Sequence, residues 1–230
     1  MTIRRQVLRE EVHEMILRKL LEARWEPGAR LSIDGLAREL SVSPTPVREA
    51  MVSLEASGLV EYQSLRGYVV APRLDAQAID ELIDARLVVE TTALSRAFAA
   101  GETFRADLRD AFDAHVDLLR AFEEGEAPDY ELIRAHYQAD WEFHQVFIAH
   151  ADNRYFDRIM GVLRPLSHRM RQTWRGDEGA IGFDALDALR EHRIILDRVL
   201  DRNHDGALEA LREHLAAVRF RSMQAPEAHE

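Results

Sequence analysis

The chain has no cysteine, and only one of its 230 residues, Lys19, is a lysine. The first absence excludes disulfides and thiolate chemistry. The second leaves almost all positive charge to arginine, which we read as coding bias rather than function. No run of about eighteen apolar residues is present, so no membrane-spanning helix is expected. The opening MTIRRQVLRE lacks the apolar stretch of a secretory leader, and a cytoplasmic protein is expected. An apolar content of 47% is enough for a packed core in each of two modest domains.

The net charge of −11 argues against a nucleic-acid partner until it is divided by region. Residues 1–74 hold 11 Lys+Arg and 10 Asp+Glu, net +1, and the remainder holds 19 and 31, net −12. The front can approach phosphate, whereas the rest repels it.

The front is organised around Ser41-Val42-Ser43-Pro44-Thr45-Pro46-Val47-Arg48-Glu49-Ala50. Ser43 suits a helix N-cap, and Pro44 and Pro46 fall in the first turn, where a missing N–H costs little. Val47, Ala50, Met51 and Leu54 then make an inward face, leaving Thr45, Arg48 and Val52 outward. An arginine and a short donor near the start of an exposed helix face suit major-groove reading, although an ordinary capped amphipathic helix has the same pattern. The neighbouring segments decide between them. Gln6 to Ala23 reads as a helix with Leu8, Val12, Met15, Ile16 and Leu20 inward, closed by Trp25-Glu26-Pro27-Gly28. Arg30 to Ile33 is a short strand, Ser32 caps a helix from Ile33 to Leu40, and Gly58 stops the helix that carries Arg48. Leu59–Gln63 and Gly67–Ala71 flank Ser64-Leu65-Arg66 as a hairpin. Three helices and a two-stranded wing make a winged helix-turn-helix, with Arg66 and Gly67 at the wing tip, where backbone or guanidinium can meet DNA.

The run Leu36 to Ala50, with Leu54, Gly58-Leu59-Val60 and Arg66-Gly67-Tyr68, closely resembles GntR-type bacterial transcription regulators over residues 6–72. The resemblance implies a DNA-binding set of Arg38, Ser43, Thr45, Pro46, Arg48, Arg66 and Gly67. Many members carry arginine and glycine where this chain has Pro44 and Ser41, so its operator cannot be copied from a relative.

Residues 73–223 read as a second domain, and residues 224–230 as a disordered tail. From Asp75 onward six helices are expected, and together they make an all-α antiparallel bundle. They are capped or opened at Asp75, Thr103, Asp129, Asn153, Asp184 and Asp205. Gly101 and Gly125 stop the first two, the third ends near Asp152-Asn153, Pro165 bends the fourth before about Trp174, and Arg175 to Gly182 forms a break. The third helix places Tyr137, Trp141, His144, Phe147 and Ile148 on one stripe, with Asp140 one turn before His144. The fifth does the same with Leu189, His192, Ile195, Leu196 and Val199, and the sixth with Leu211, His214 and Val218.

Inward polar groups without partners cost about 1–3 kcal/mol each, and a shared Zn²⁺, Ni²⁺, Mn²⁺ or Fe²⁺ would satisfy Asp140, His144, His192 and His214 together. Separate pairing of each histidine with a neighbour accounts for any one of them, and His115, also inward beside Leu108 and Leu118, shows that such cases are expected. The set of four resembles the metal pattern of the helical FCD effector domain in the FadR-like branch of the GntR family, in its shorter six-helix, VanR-like version. That resemblance implies a small carboxylate effector at the open metal positions and, at Arg86, an arginine that helps to hold it. Pairing of Arg86 with Glu90 one turn away is the simpler role for that residue.

The expectation is therefore a homodimeric transcription regulator, a repressor, on a pseudo-palindromic double-stranded operator, controlled by an organic acid at a metal. One alternative keeps DNA binding with a structural metal or none and an apolar, acyl-type effector. A metalloenzyme is the other, weakened because Glu142, Glu191 and Glu213 adjoin ligand positions and so point about 100° away from the metal.

Overall fold

In a computed structural model of the chain, the described residues are 2–21, 24–72, 74–123, 130–171 and 178–223. They fall into two compact units, Met1–Leu74 with Pro165–Gln172, and Asp75–Arg164 with Thr173–Glu230. The division lies two residues beyond the expected boundary, and it assigns a stretch expected within the second domain to the first unit. The expected tail lies outside the described residues, as do the expected helix ends at Ala23, Gly125, Asp129 and Trp174.

The first unit contains α1 (Thr2–Leu21), β1 (Arg30–Leu31), α2 (Ile33–Glu39), α3 (Pro44–Ala56), β2 (Val60–Gln63) and β3 (Gly67–Val70). Its core joins Val12, Ile16 and Leu20 of α1 to Leu36, Ala37, Val47, Ala50, Met51 and Leu54. Leu8 and Met15, expected inward, are exposed instead. On a helix they sit at the margin of the arc that Val12, Ile16 and Leu20 centre. The expected two-stranded wing is part of a three-stranded antiparallel sheet in the order β1-β3-β2, with Arg30 opposite Val69 and Val60 opposite Val70. The short strand before α2 therefore extends the wing rather than only delivering the chain.

The elements described from Asp75 onward are all helical: α4 (Ala76–Ala97), a 3-10 turn (Phe98–Ala100), α5 (Glu102–Glu123), α6 (Tyr130–His150), α7 (Arg154–Arg171), α8 (Glu178–Leu200) and α9 (His204–Met223). Asp75 caps α4 by accepting from the Ala78 amide at 2.8 Å. Pro165 stands inside α7, whose later part belongs to the first unit. Helix α8 starts at Glu178, six residues before Asp184, and so runs through much of the stretch expected as a break. Its two early glycines cost about 1 kcal/mol each relative to alanine, which a helix of 23 residues can carry. Helix α4 packs on α6 and α9, α5 on α6 and α8, and α8 on α9. These contacts close a ring of five helices, and the polar cluster lies on its inner faces.

Candidate functional site

Asp140 and His144 lie one turn apart on α6, His192 on α8 and His214 on α9, and all four side chains are buried. One ligand atom from each lies within 4.8 Å of all the others. The Nε2 atoms of His192 and His144 are 3.2 Å apart, and His192 Nε2 is 3.6 Å from Asp140 Oδ1. Residues from three helices, separated by up to 74 positions, thus converge as the spacing predicted.

Two further carboxylates approach from behind. Glu90 on α4 places Oε2 at 2.6 Å from His144 Nδ1, while its Oε1 accepts from Arg86 Nε at 2.6 Å. Burial pushes the Glu90 carboxyl up, but the charges and hydrogen bonds of Arg86 and His144 outweigh it and hold the carboxyl at about 2. The contact places Glu90 on the Nδ1 side of His144 and leaves Nε2, on the other side of the ring, facing His192. Glu191 does the same for His214, with Oε2 at 2.8 Å from Nδ1, and Arg221 grips it through Nη1 at 2.6 Å and Nη2 at 3.0 Å.

Burial lowers the pKa of His192 well below its ordinary value, helped by the neighbouring His214 charge. His214 is lowered mainly by burial, against the opposing pull of Glu191. Neutral imidazoles are the form that binds a metal. His214 Nε2 is buried with no hydrogen-bond partner. Two imidazole Nε2 atoms 3.2 Å apart, a carboxylate beside them and an orphaned third nitrogen form a donor set that suits a divalent transition cation. Bonds of about 2.1 Å would close the cluster with sub-ångström shifts.

Arg86 is fully buried. Its Nε is committed to Glu90, its Cζ lies 6.0 Å from the centre of the Trp141 ring, and Nη1 and Nη2 have no partner. It thus makes the pairing with Glu90 expected as its simpler role, and both Nη groups are left buried. Sequence reasoning took Glu90 only as a helix-surface partner of Arg86, and it placed Glu191 merely beside a ligand. It missed His136, which is buried one turn before Asp140 and has Nδ1 at 2.9 Å from His115 Nε2. For this pair the separate-pairing reading holds. The 136-140-144 spacing was the available signal.

On the first unit, Ser43, Thr45 and Arg48 are exposed at the start and along the outer face of α3, and Arg38 is exposed on α2. Pro46, also expected in the DNA-binding set, is buried beside Val47 rather than exposed. Ser43 is the N-cap residue, but its hydroxyl makes no capping bond. Such a bond goes to the second or third helical amide, and the third residue here is Pro46, which has no N–H. At the wing tip Arg66 is exposed and reaches back to Gln63 Oε1 and the Gly28 carbonyl, each at 3.3 Å. Gly67 has φ +79° with no atom crowding a would-be Cβ, so backbone conformation requires the glycine.

A winged unit followed by an all-helical unit is the layout of a DNA-binding regulator, and the chain belongs to the GntR family of bacterial regulatory proteins. The gntR family matches residues 8–70 and the FCD domain residues 81–217. The chain is 25% identical over 205 residues to the HTH-type transcriptional regulator YdhC of Bacillus subtilis, covering 89% of this chain and 86% of that protein. It is 24% identical over 213 residues to the galactonate operon transcriptional repressor of Escherichia coli, covering 84% and 87%. In fold it matches a GntR transcriptional regulator from Rhodococcus sp. RHA1 with a TM-score of 0.73 at 22% identity, over 95% of this chain and 99% of that one. These families and relatives are DNA-binding transcription regulators rather than enzymes, and this chain is a DNA-binding transcription regulator. No helix among the described residues is long and apolar enough to cross a membrane.

Proposed function

We propose that the chain is a cytoplasmic repressor that binds a pseudo-palindromic operator as a homodimer and responds to a small organic acid at a metal centre. Asp140, His144, His192 and His214 hold the cation, which is Zn²⁺, Ni²⁺, Mn²⁺ or Fe²⁺. A bound cation supplies open coordination positions that attract a carboxylate oxygen. The protein's own part is to orient that carboxylate with the two unpaired Nη groups of Arg86, whose fork fits it, and to exclude water by burial. The name of the galactonate operon repressor supports a sugar acid or a similar hydroxy acid as the class of effector.

On the DNA side, Arg48 and Thr45 read the major groove from α3, and Arg38, Ser43, Arg66 and Gly67 contact the backbone or the adjacent groove. Effector binding favours one arrangement of the paired DNA-reading units over another. Coupling of about 1–3 kcal/mol would change operator affinity by roughly 5- to 150-fold, which is enough for a switch.

The observation that carries this reading is the buried convergence of four ligand atoms, one of them an imidazole nitrogen without a partner. Elemental analysis of the purified protein tests it, and about one divalent transition metal per chain is expected. His192→Ala should lose most of that metal, and with it the response of operator binding to organic acids, while still binding DNA. Full metal content in His192→Ala would refute the site.

A further inference from the structure

Two of the three clustered imidazoles are backed by a carboxylate that an arginine holds, His214 through a hydrogen bond and His144 through a 2.6 Å contact whose two atoms lack directed hydrogen-bond geometry. The chains run His144–Glu90–Arg86 and His214–Glu191–Arg221. His192 has no such support: its Nδ1 is buried without a partner, and its ring lies flat on Phe143 at 4.2 Å and 12°. The two chains also differ at the arginine. Arg221 commits both Nη groups to Glu191, so its fork is closed. Arg86 commits only Nε, and its two Nη groups remain buried and unpaired.

We propose that Glu90 and Glu191 are positioning residues for the cation, and that the Arg86–Glu90–His144 chain also couples anion binding at Arg86 to cation affinity at His144. The first part follows from tautomer control. A carboxylate that accepts from Nδ1–H leaves the Nε2 lone pair toward the cluster and raises its basicity. The second follows from charge. Glu90 shares the whole Arg86 cation, which weakens its pull on the His144 proton. An anion on the free Nη groups offsets that cation, lets Glu90 accept more strongly and makes Nε2 the better donor. Both Nη groups of Arg221 already face Glu191 whereas neither Nη of Arg86 faces Glu90, so the anion-responsive chain is assigned to His144. Reciprocity requires that cation binding tighten the anion by the same factor. This inference rests on the metal reading above.

Full-length protein stripped by a chelator and titrated with Co²⁺, followed by its visible absorption in competition with a calibrated chelator, separates the parts. With Co²⁺ alone, Glu90→Gln and Glu191→Gln should each bind about 10- to 100-fold more weakly than wild type. The exposed Glu209→Gln should match wild type. Unchanged affinity in both buried variants would overturn the positioning role. Arg86→Gln removes the competing cation and should bind Co²⁺ at least as tightly as wild type, whereas a loss as large as that of Glu90→Gln would overturn the order of the chain.

With saturating acetate as the probe anion, wild type and Glu191→Gln should gain Co²⁺ affinity several-fold. Glu90→Gln and Arg86→Gln should gain clearly less, since only direct contact of acetate with cobalt then remains. Equal gains in all four, or no gain in wild type, would overturn the coupling and leave the positioning role standing. Wild type that fails to bind Co²⁺ at all would remove the metal reading and this inference together.

Discussion

Burial disfavours the charged forms of His192 and His214, and this sets the acid stability of the metal-free protein. His192 and His214 have folded pKa values below 6.5, so below that pH the unfolded chain takes up protons that the folded chain refuses. Stability present above pH 6.5 is therefore lost as pH falls, at up to about 1.4 kcal/mol per pH unit for each group. Glu90 acts in the same direction at lower pH. Its contribution is complete above its ordinary value of 4.5 and disappears as pH falls toward about 2. Urea unfolding of chelator-treated protein should show the second unit less stable at pH 5.5 than at pH 7.5. Equal stability would mean that these histidines are not buried neutral. At this scale the ligands were legible and their supports were not. Helical spacing places Asp140, His144, His192 and His214 inward, but nothing in a one-dimensional pattern brings Glu90 on α4 to the back of a ring on α6. Glu191 shows the limit differently: the 100° offset that turns it away from the cluster also turns it toward Nδ1 of His214.

The elements of the winged unit follow from local chemistry. Inward positions at three- and four-residue spacing on α3 all proved buried, and Gly58 adopts the left-handed conformation, φ +73°, that ends the helix. The turn between α2 and α3 passes through Ser41 at φ +55°, and the wing tip through Leu65 at φ +70°. Glycine adopts both conformations without the side-chain penalty, which gives a physical reason for the glycine that many family members carry where this chain has Ser41. Two details were not legible. A serine before a helix suggests a side-chain cap, but the prolines that mark the start also remove one of the amides it would hold. A proline in a first turn reads as surface, whereas Pro46 faces the core. The exposed residues of α3 include Thr45, Arg48, Val52 and Ser53, and Arg48 is the residue there best able to bond a guanine edge through two donors. Arg48→Ala should therefore weaken binding to a duplex selected by the wild-type protein by about 1–3 kcal/mol and relax its preference at one base position, measured by fluorescence anisotropy. Undiminished affinity would take Arg48 off the reading face.

For the molecule as a whole, charge and function divide together. The front of the chain is near neutral and presents arginines, while the acidic remainder contains a ring of five helices whose inner faces each carry a charged or imidazole side chain: Arg86 and Glu90 on α4, His115 on α5, Asp140 and His144 on α6, His192 on α8 and His214 on α9. A core built this way exchanges apolar packing for polar groups, each of which needs a partner. The cation is expected to satisfy several of them at once, so its removal acts on the stability of this unit and not only on ligand response. A cation at 100 times its Kd adds about 2.7 kcal/mol to the form that binds it. For a unit of this size that corresponds to roughly 5–10 °C in melting temperature. Calorimetry of full-length protein, stripped and then reloaded with Zn²⁺ or Ni²⁺, should show the transition of the helical unit rising by about this amount while that of the winged unit stays near its original temperature. A rise confined to the winged transition would place the cation elsewhere, and no rise in either would leave the buried histidines without the partner that their arrangement calls for.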